Sequence, residues 1–147
     1  MSEEKIVSVI RDFRATEKRD VEKKLSFLTE DVVWTNNEGT FKGKEEVKCY
    51  LTWETQRITN AKVRAAGIGT MVKGNTVVQE LVFEGSTSDG RSFGEIPVII
   101  VDEFSGEKIR RHREYFDRLS MVKQAANGWF ERMIVGQIVN RVEEGLH

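Results

Sequence analysis

Cysteine, proline and histidine are all scarce in this 147-residue chain, which has one Cys, one Pro and two His. A single cysteine, Cys49, cannot form a disulfide within the chain or the paired-cysteine arrangement of a zinc knuckle. His112 is the one histidine away from the C-terminus, and the carboxylates show no spacing typical of a metal site. We therefore predict a protein that folds without disulfide or metal and uses no cofactor.

The chain also has no large excess of charge of one sign and no long hydrophobic run. The 23 basic and 24 acidic residues leave a net charge of −1, whereas non-specific nucleic-acid binding usually requires a basic excess. No uninterrupted apolar run approaches the roughly 18 residues of a membrane-spanning helix, and the N-terminal segment MSEEKIVSVIRDF lacks the apolar core of a signal peptide. We expect a cytoplasmic protein that binds neither nucleic acid nor membranes.

The local patterns predict helices first and strands later. Ser2 and Asp20 are predicted N-caps of two helices, the segment DVVWTNN predicts a strand, and KEEVKCYLTWETQ predicts a third helix. Pro97 lies in the third of four later strand patterns and indicates a bulge or a strand edge there. Glycine-containing turns join these four patterns into antiparallel hairpins. They are AKVRAAGIGTMVKG, TVVQELVFEG, RSFGEIPVIIVDEF and KIRRHREYFDRL.

This order predicts an α+β fold with the helices on one side of a curved antiparallel sheet. A further helix is predicted in the C-terminal segment NGWFERMIVGQIVNRVEEGL. Its apolar band is wider than about 100° of the helix circumference, which indicates burial, either over a cavity mouth or against a second subunit. The band comprises Trp129, Phe130, Met133, Ile134, Ile138, Val142 and Leu146.

Three segments carry a resemblance to a known family: LTEDVVWTN, FKGKEEV and DGRSFGEIPVIIVDEFSGEKIRRHREYFD. They resemble the SnoaL-like branch of the nuclear transport factor 2 superfamily, which includes ketosteroid isomerases, limonene epoxide hydrolases and SnoaL-type polyketide cyclases. The resemblance extends over roughly residues 4–126. It implies a single cone-shaped domain over 1–147, with a core fold over 1–126 and a C-terminal helical extension over 127–147. It also implies helices on the concave side of the sheet, an apolar cavity and a homodimer.

The active-site residues of these families map onto this chain only in part. The ketosteroid isomerase general base falls on Asn36, whose amide cannot carry a proton at neutral pH. The epoxide hydrolase triad falls on Glu80, Val82 and Glu114, so one carboxylate position is kept. The acid/base residue of SnoaL-type cyclases also falls nearest to Glu114. The resemblance therefore implies proton transfer by Glu114, and fold likeness alone does not establish it.

The strand pattern around IRRHREYFD places alternate side chains on opposite faces. The resemblance turns the face with Lys108, Arg110, His112, Glu114 and Phe116 toward the cavity. His112 and Glu114 then form an acid/base pair in apolar surroundings, which raise the pKa of Glu114, or they make structural hydrogen bonds. The other face, with Arg111, Arg113 and Tyr115, is expected to contribute to a dimer contact.

Aromatic residues and one further carboxylate complete the predicted site. Trp34, Tyr50, Trp53 and Phe116 either shape a pocket for a flat organic ligand or simply pack in the core. The resemblance points Glu95 into the cavity, whereas its place near Pro97 indicates an edge residue beside a bulge. Glu80 faces inward by the resemblance and outward by the alternation of its strand.

The sequence predicts a protein with a pocket for a small, mostly apolar organic molecule. The first hypothesis is a cofactor-independent cyclase, isomerase or hydrolase in which Glu114 moves a proton, His112 tunes it and Asn36 donates a hydrogen bond to a substrate oxygen. The second is a non-catalytic ligand-binding or dimeric scaffold module of the same fold. A third is a protein-interaction module that uses residues 128–147.

Overall fold

The computed structural model describes residues 1–126 and 128–144, in which five helices accompany a curved, unclosed sheet of six strands. The helices are α1 (Glu3–Ala15), α2 (Val21–Ser26), α3 (Gly43–Arg57), α4 (Arg118–Ala125) and α5 (Gly128–Glu144). The strands are β1 (Leu28–Asn36), β2 (Gly39–Lys42), β3 (Ile58–Lys73), β4 (Thr76–Thr87), β5 (Ser92–Ser105) and β6 (Lys108–Phe116). The α+β prediction is confirmed, and the predicted turn around EGTFKG also contains the short strand β2.

The sheet has the strand order β2-β1-β6-β5-β4-β3. Strands β3 to β6 form successive antiparallel hairpins, whereas β1 lies parallel to β6, a pairing that requires a connection as long as the stretch of chain between them. The predicted N-caps are present, since the side chains of Ser2 and Asp20 accept hydrogen bonds from the backbone N–H of Lys5 and Lys23.

The apolar core fills only one end of the sheet. Helices α1, α2 and α3 bury their apolar residues against β1 and the hairpin ends of β4, β5 and β6, in a cluster that includes Ile6, Phe13, Leu28 and Ile109. Farther along the same strands lies a smaller cluster of Leu81, Val98 and Ile100, against which, in the part of the chain that the structure describes, Phe83 and Phe116 pack as partly buried hydrophobic residues. This face of the sheet is consequently left open beyond the helices.

A bulge interrupts β5 close to the proline, as the sequence predicts. Between the pairs Phe83 with Ile96 and Gly85 with Phe93, β5 has one residue more than β4. Glu95 within this bulge has a φ of +53°, which is uncommon for a residue with a side chain. Pairing of β5 with β6 starts only at Val98, so the missing N–H of Pro97 interrupts no hydrogen bond between them.

The C-terminal helix α5 leaves part of its apolar band uncovered in the single chain. Met133, Ile134 and Ile138 are 37%, 40% and 49% exposed there, so the predicted burial of this band against a second subunit stays a prediction. Ile134 and Val135 nevertheless border the open face of the sheet described below. The side chains of Trp129, Phe130 and Val142, and all of Leu146, lie outside the described residues.

The helices of the described residues include no candidate for a membrane span, because each is too short or too polar.

Candidate functional site

A cavity of about 1300 Å³ lies between the open face of the sheet and the helices. The apolar part of its wall comes largely from the smaller core cluster, with Leu81, Phe83, Val98, Ile100 and Phe116. All five helices and strand β3 also contribute residues to its wall. Charged side chains also reach this wall, namely Arg14, Lys18, Lys24, Glu54 and Glu114 among others.

Of the face of β6 that was predicted to point inward, the second half, from His112 to Phe116, does so, whereas the first half, with Lys108 and Arg110, does not. His112 is fully buried, and Glu114 and Phe116 line the cavity. Lys108 and Arg110, in contrast, are exposed, so their predicted inward orientation is wrong. The reason is a bulge at Arg110: Ile109 pairs with Phe104 and Arg111 with Glu103, which leaves Arg110 without a partner and shifts the alternation by one residue.

A chain of hydrogen bonds runs from this strand through the protein interior to helix α1. Nε2 of His112 lies 2.8 Å from Oε1 of Glu114, and Nδ1 of His112 lies 2.6 Å from Oδ1 of Asp102. Nη2 of Arg14 donates to Oδ2 of Asp102 over 2.6 Å, and its Nε donates to Oε1 of Gln79 over 2.9 Å. Asp102 and His112 face each other across β5 and β6 and are both fully buried.

The arrangement determines the protonation state of His112. Ionised carboxylates only accept hydrogen bonds, so both ring nitrogens donate and the imidazole is positively charged. Burial alone lowers the pKa of His112, but the charges and hydrogen bonds of Asp102 and Glu114 outweigh it and raise that pKa. Arg14 and His112 then carry two positive charges against the two negative charges of Asp102 and Glu114, so the buried group is neutral as a whole.

Glu114 is a base in this environment, which corrects the prediction that its pKa is raised. Burial alone raises the pKa of Glu114, but the hydrogen bond and charge of His112 lower it below the ordinary value. In residues 1–126 and 128–144 no group donates a hydrogen bond to its second oxygen, Oε2. The side chain is 21% exposed, and it lines the cavity. An ionised carboxylate with one free oxygen therefore faces the cavity.

The four predicted aromatic residues all line this cavity. Trp34 lies against the imidazole of His112, with ring centroids 3.7 Å apart, and the rings of Tyr50 and Phe13 are at 6.3 Å and 6.4 Å. Trp34 and Tyr50 also belong to the core cluster, so core packing and pocket formation are combined in the same side chains. Trp53 is 39% exposed and continues the aromatic row from Tyr50 toward solvent.

Asn36 stands behind the cavity wall instead of forming part of it. Its Oδ1 accepts a hydrogen bond from the backbone N–H of Glu38, whereas the hydroxyl of Tyr50 donates to Oε1 of Glu54 over 3.3 Å. Asn36 is not among the residues that line the cavity, whereas Tyr50 is. The expected direct hydrogen bond from Asn36 to a substrate oxygen is therefore not supported.

The two remaining carboxylates of the sequence analysis point away from the cavity. The side chain of Glu95 is 82% exposed and lies 3.4 Å from Arg64, so the expectation that it faces the cavity is wrong. The alternative was an edge-strand residue beside a bulge. The bulge is present, whereas β5 is an inner strand of the sheet that lacks a β6 partner at Glu95 because that pairing begins at Val98. The carboxylate of Glu80 accepts a hydrogen bond from the backbone N–H of Ile68 and fills the space next to Gly67, in an irregular part of β3. The alternation of β4 predicted this orientation correctly.

Comparison with known families agrees with this architecture. The family model of the SnoaL-like domain matches residues 9–112, which is more than half of the chain. The chain belongs to the SnoaL-like domain family. No curated protein matches it.

Solved structures similar to this SnoaL-like protein share its fold at low sequence identity. One is a hypothetical protein with a ketosteroid isomerase-like fold from Catenulispora acidiphila in complex with trimethylamine (TM-score 0.70, 19% identity, 84% of this chain and 93% of that chain). Another is a limonene epoxide hydrolase-like epoxide hydrolase of M. tuberculosis (TM-score 0.68, 20% identity, 92% and 96%). A third is a putative polyketide cyclase from Silicibacter sp. (TM-score 0.67, 16% identity, 83% and 96%). Likeness at this identity shows the fold alone.

Three residues of the SnoaL-like site escaped the sequence analysis: Asp102, Arg14 and Lys24. A signal for Asp102 was present, because Val98, Ile100, Asp102 and Phe104 alternate along β5 and an acidic residue on a buried face requires a partner. The tight turn at Ser105-Gly106 also brings residues 102 and 112 opposite each other. Arg14 and Lys24 reach the cavity only through the packing of helices on the sheet, which no local pattern predicts.

Proposed function

We propose that this SnoaL-like protein binds a small, mostly apolar organic molecule in the cavity and acts on it by proton transfer through Glu114, without a cofactor. The observation that carries the proposal is the carboxylate of Glu114, which lines the cavity while Nε2 of His112 lies 2.8 Å from its Oε1. Apolar walls increase the strength of such a base because water competes less for it. Cyclases, isomerases and hydrolases of this kind all require such a step.

His112 has the role of a positioning residue. It holds Oε1 of Glu114 at 2.8 Å and is itself held by Asp102 at 2.6 Å, so the carboxylate is fixed before a ligand enters. The imidazolium also stabilises the ionised form of Glu114. Because the imidazolium lowers the pKa of Glu114, this carboxylate is a weaker base than an isolated carboxylate in an apolar site. The arrangement therefore favours a carbon acid that is already activated by a neighbouring carbonyl or nitro group.

Proton abstraction is testable without knowledge of the natural substrate. In 5-nitrobenzisoxazole a base removes the proton on carbon, the N–O bond breaks, and a coloured nitrophenolate forms. We expect the protein to accelerate this reaction and Glu114→Gln to lower the rate about 100-fold or more, because an amide does not accept the proton. The rate is followed by absorbance, and circular dichroism verifies that both proteins are folded.

Glu54 provides the matched control, since it also lines the cavity but already binds Lys18 at 3.1 Å. Glu54→Gln is expected to keep most of the activity. If the wild type and Glu114→Gln react equally fast, Glu114 is not the base. The outward orientation of Glu80 removes a carboxylate that the resemblance placed in the cavity, which favours the alternative of a non-catalytic ligand-binding module. This alternative predicts a ligand that raises the melting temperature of the protein and is recovered unchanged after long incubation.

We also propose that the outer face of β5 and β6 forms a homodimer contact. Ile99 and Tyr115 are paired side by side on this face and are 36% and 54% exposed in the single chain. Arg113, which the sequence analysis placed here with Tyr115, is bound to Glu103. Large apolar and aromatic side chains that are exposed together typically mark protein contacts.

Tyr115→Asp is expected to convert a dimer into a monomer, because a carboxylate without a partner is placed at the centre of the contact. Multi-angle light scattering after size-exclusion chromatography measures the mass. Val7→Asp, at a residue of α1 that is 39% exposed, is the control and should leave the mass unchanged. A monomeric wild type, or a Tyr115→Asp protein that remains dimeric, contradicts the proposed contact.

A further inference from the structure

Lys24 is a lysine of the cavity wall for which the proposed proton transfer has no use. It lies in the last turn of α2, its side chain lines the cavity, and its Nζ lies 4.8 Å from the centroid of the Phe13 ring. Within the described ranges 1–126 and 128–144, Lys24 forms no ion pair with a carboxylate. Its amine is thus held against an aromatic face at the boundary of an apolar space.

The charges around Lys24 disfavour its protonated form. Arg14 and Lys18 line the same cavity, but each is already paired, with Asp102 at 2.6 Å and with Glu54 at 3.1 Å. Burial, followed by the positive charges of Arg14 and Lys18, lowers the pKa of Lys24 to about 8, and the negative charges of Glu54 and Glu114 offset only part of this effect. At pH 7.5 a group with this pKa is neutral in roughly a quarter of the molecules, against about 0.1% for a lysine in water.

We propose that Lys24 is a nucleophilic amine that forms an imine with aldehydes and ketones entering the cavity. The lone pair of Nζ attacks the carbonyl carbon, the C–N bond forms, and the two amine protons leave with the carbonyl oxygen as water. The step needs neither oxidant nor reductant. A desolvated lysine beside other cations in an apolar pocket is the environment in which amines act as nucleophiles at neutral pH. This chemistry goes beyond the proposed function, because it requires no proton transfer by Glu114.

Reductive trapping with a hydrophobic aldehyde tests the proposal. The protein is incubated at pH 7.5 with less than one equivalent of 2-naphthaldehyde and with sodium cyanoborohydride, which delivers hydride to the imine and fixes it as a secondary amine. Mass spectrometry of the intact chain counts the labels, and peptide mapping locates them. Lys23 is the matched control, because it is the adjacent residue of the same helix and is exposed. We expect Lys24 to carry at least about tenfold more label than Lys23, given the larger neutral fraction.

Variants distinguish the imine from general surface labelling. Lys24→Arg keeps the positive charge but cannot form an imine and should lose the first label, whereas Lys23→Arg should keep it. Naphthalene, which has no carbonyl, should slow the labelling of Lys24 by occupying the cavity. Glu114→Gln should still be labelled at Lys24, so a failure of the proton-transfer proposal is separable from a failure here. The proposal is overturned if Lys24 carries no more label than Lys23 or if Lys24→Arg is labelled as rapidly as the wild type.

Discussion

Asp102→Ala is expected to destabilise the protein by about 3 kcal/mol or more, the largest effect of any single substitution considered. The variant leaves the guanidinium of Arg14 and the imidazole of His112 without the carboxylate that binds both at 2.6 Å. Breaking a buried ion pair by removing one partner typically costs about 3–5 kcal/mol, because the remaining charge is uncompensated. Asp102 and His112 have no exposed surface, so water cannot replace the lost carboxylate there.

Two physical effects place the expected value toward the lower end of that range. Without Asp102 the imidazole can give up its proton and become neutral, which removes one of the uncompensated charges. The side chain of Arg14 is 18% exposed and lines the cavity, so water can reach it in part. Urea denaturation followed by circular dichroism gives the free energy of unfolding.

Glu95→Ala is the control for Asp102→Ala, because it also removes a carboxylate from an ion pair with an arginine. The Glu95 side chain is 82% exposed and that of Arg64 is 58% exposed, so this change should alter the free energy of unfolding by no more than about 0.5 kcal/mol. Asp102→Asn should fall between the two, since the amide keeps the shape and one acceptor but not the charge. An Asp102→Ala protein within about 1 kcal/mol of the wild type contradicts the buried network.

The Asp102→Ala protein should also lose activity in the nitrobenzisoxazole assay although Asp102 does not line the cavity. A neutral His112 bonded to Glu114 neither holds that carboxylate ionised as strongly nor keeps the same ring orientation. This loss distinguishes a network that positions a base from one that only stabilises the fold, because a purely structural role leaves the rate per folded molecule unchanged.

The sequence predicted most elements of the fold because its local signals agree with one another. Ser2 and Asp20 cap their helices, and tight turns such as Gly74-Asn75 and Ser105-Gly106 leave antiparallel hairpins as the only short connection. Alternation in β4 gave the correct inner face with Val77, in opposition to the resemblance, since a regular strand has one buried face.

The errors concentrate at bulges, where one extra residue reverses the alternation. The bulge at Arg110 is the reason that residues 108 and 110 face solvent while 112 and 114 face inward. The bulge near Pro97 was predicted, and the alternative that set Glu95 beside this bulge agrees with its exposure, whereas the inward direction implied by the resemblance does not. The alternation of polar and apolar residues does not show where a bulge adds a residue to one strand. The position of the bulge depends on the register with the neighbouring strand, which the pattern of a single strand does not contain.

The network behind Glu114 depends on contacts between elements that are distant in sequence. Arg14 reaches Asp102 from helix α1, across 88 residues of chain. The predicted pair of His112 and Glu114 is present in the structure, but the predicted direction of the pKa shift of Glu114 was wrong, because the sequence pattern does not reveal the contact between His112 and Asp102. A carboxylate beside a neutral histidine in apolar surroundings has a raised pKa, whereas a second carboxylate behind the histidine converts it to a cation and reverses the direction.

The stability of the wild type is expected to peak between about pH 4.5 and 6.5 and to fall on both sides of that window. Asp102 and Glu114 have pKa values below their ordinary 3.8 and 4.5, so their stabilising contribution is complete above those values and is lost as the pH falls through the folded pKa. The pKa of His112 lies above its ordinary 6.5, so its contribution is complete below 6.5 and is lost as the pH rises through the folded pKa. Each group changes the unfolding equilibrium constant by up to about tenfold per pH unit while it differs in protonation between the two states.

Above pH 6.5 the titration of Lys24 changes the free energy of unfolding in the direction opposite to that of His112. Lys24 must therefore be replaced before the contribution of His112 can be measured alone. Its pKa is about 8 in the folded protein against 10.5 ordinarily, so the folded state loses this proton first and is stabilised as the pH rises between those values. In Lys24→Met we therefore expect the free energy of unfolding, measured by urea titration from pH 3 to 9, to fall continuously above pH 6.5. Asp102→Asn in the same background should flatten that decline, because His112 then loses the charge that keeps it protonated. An alkaline limb of equal steepness in the two proteins contradicts the assignment of His112 as an imidazolium, and with it the state of Glu114 as a carboxylate held ready to accept a proton.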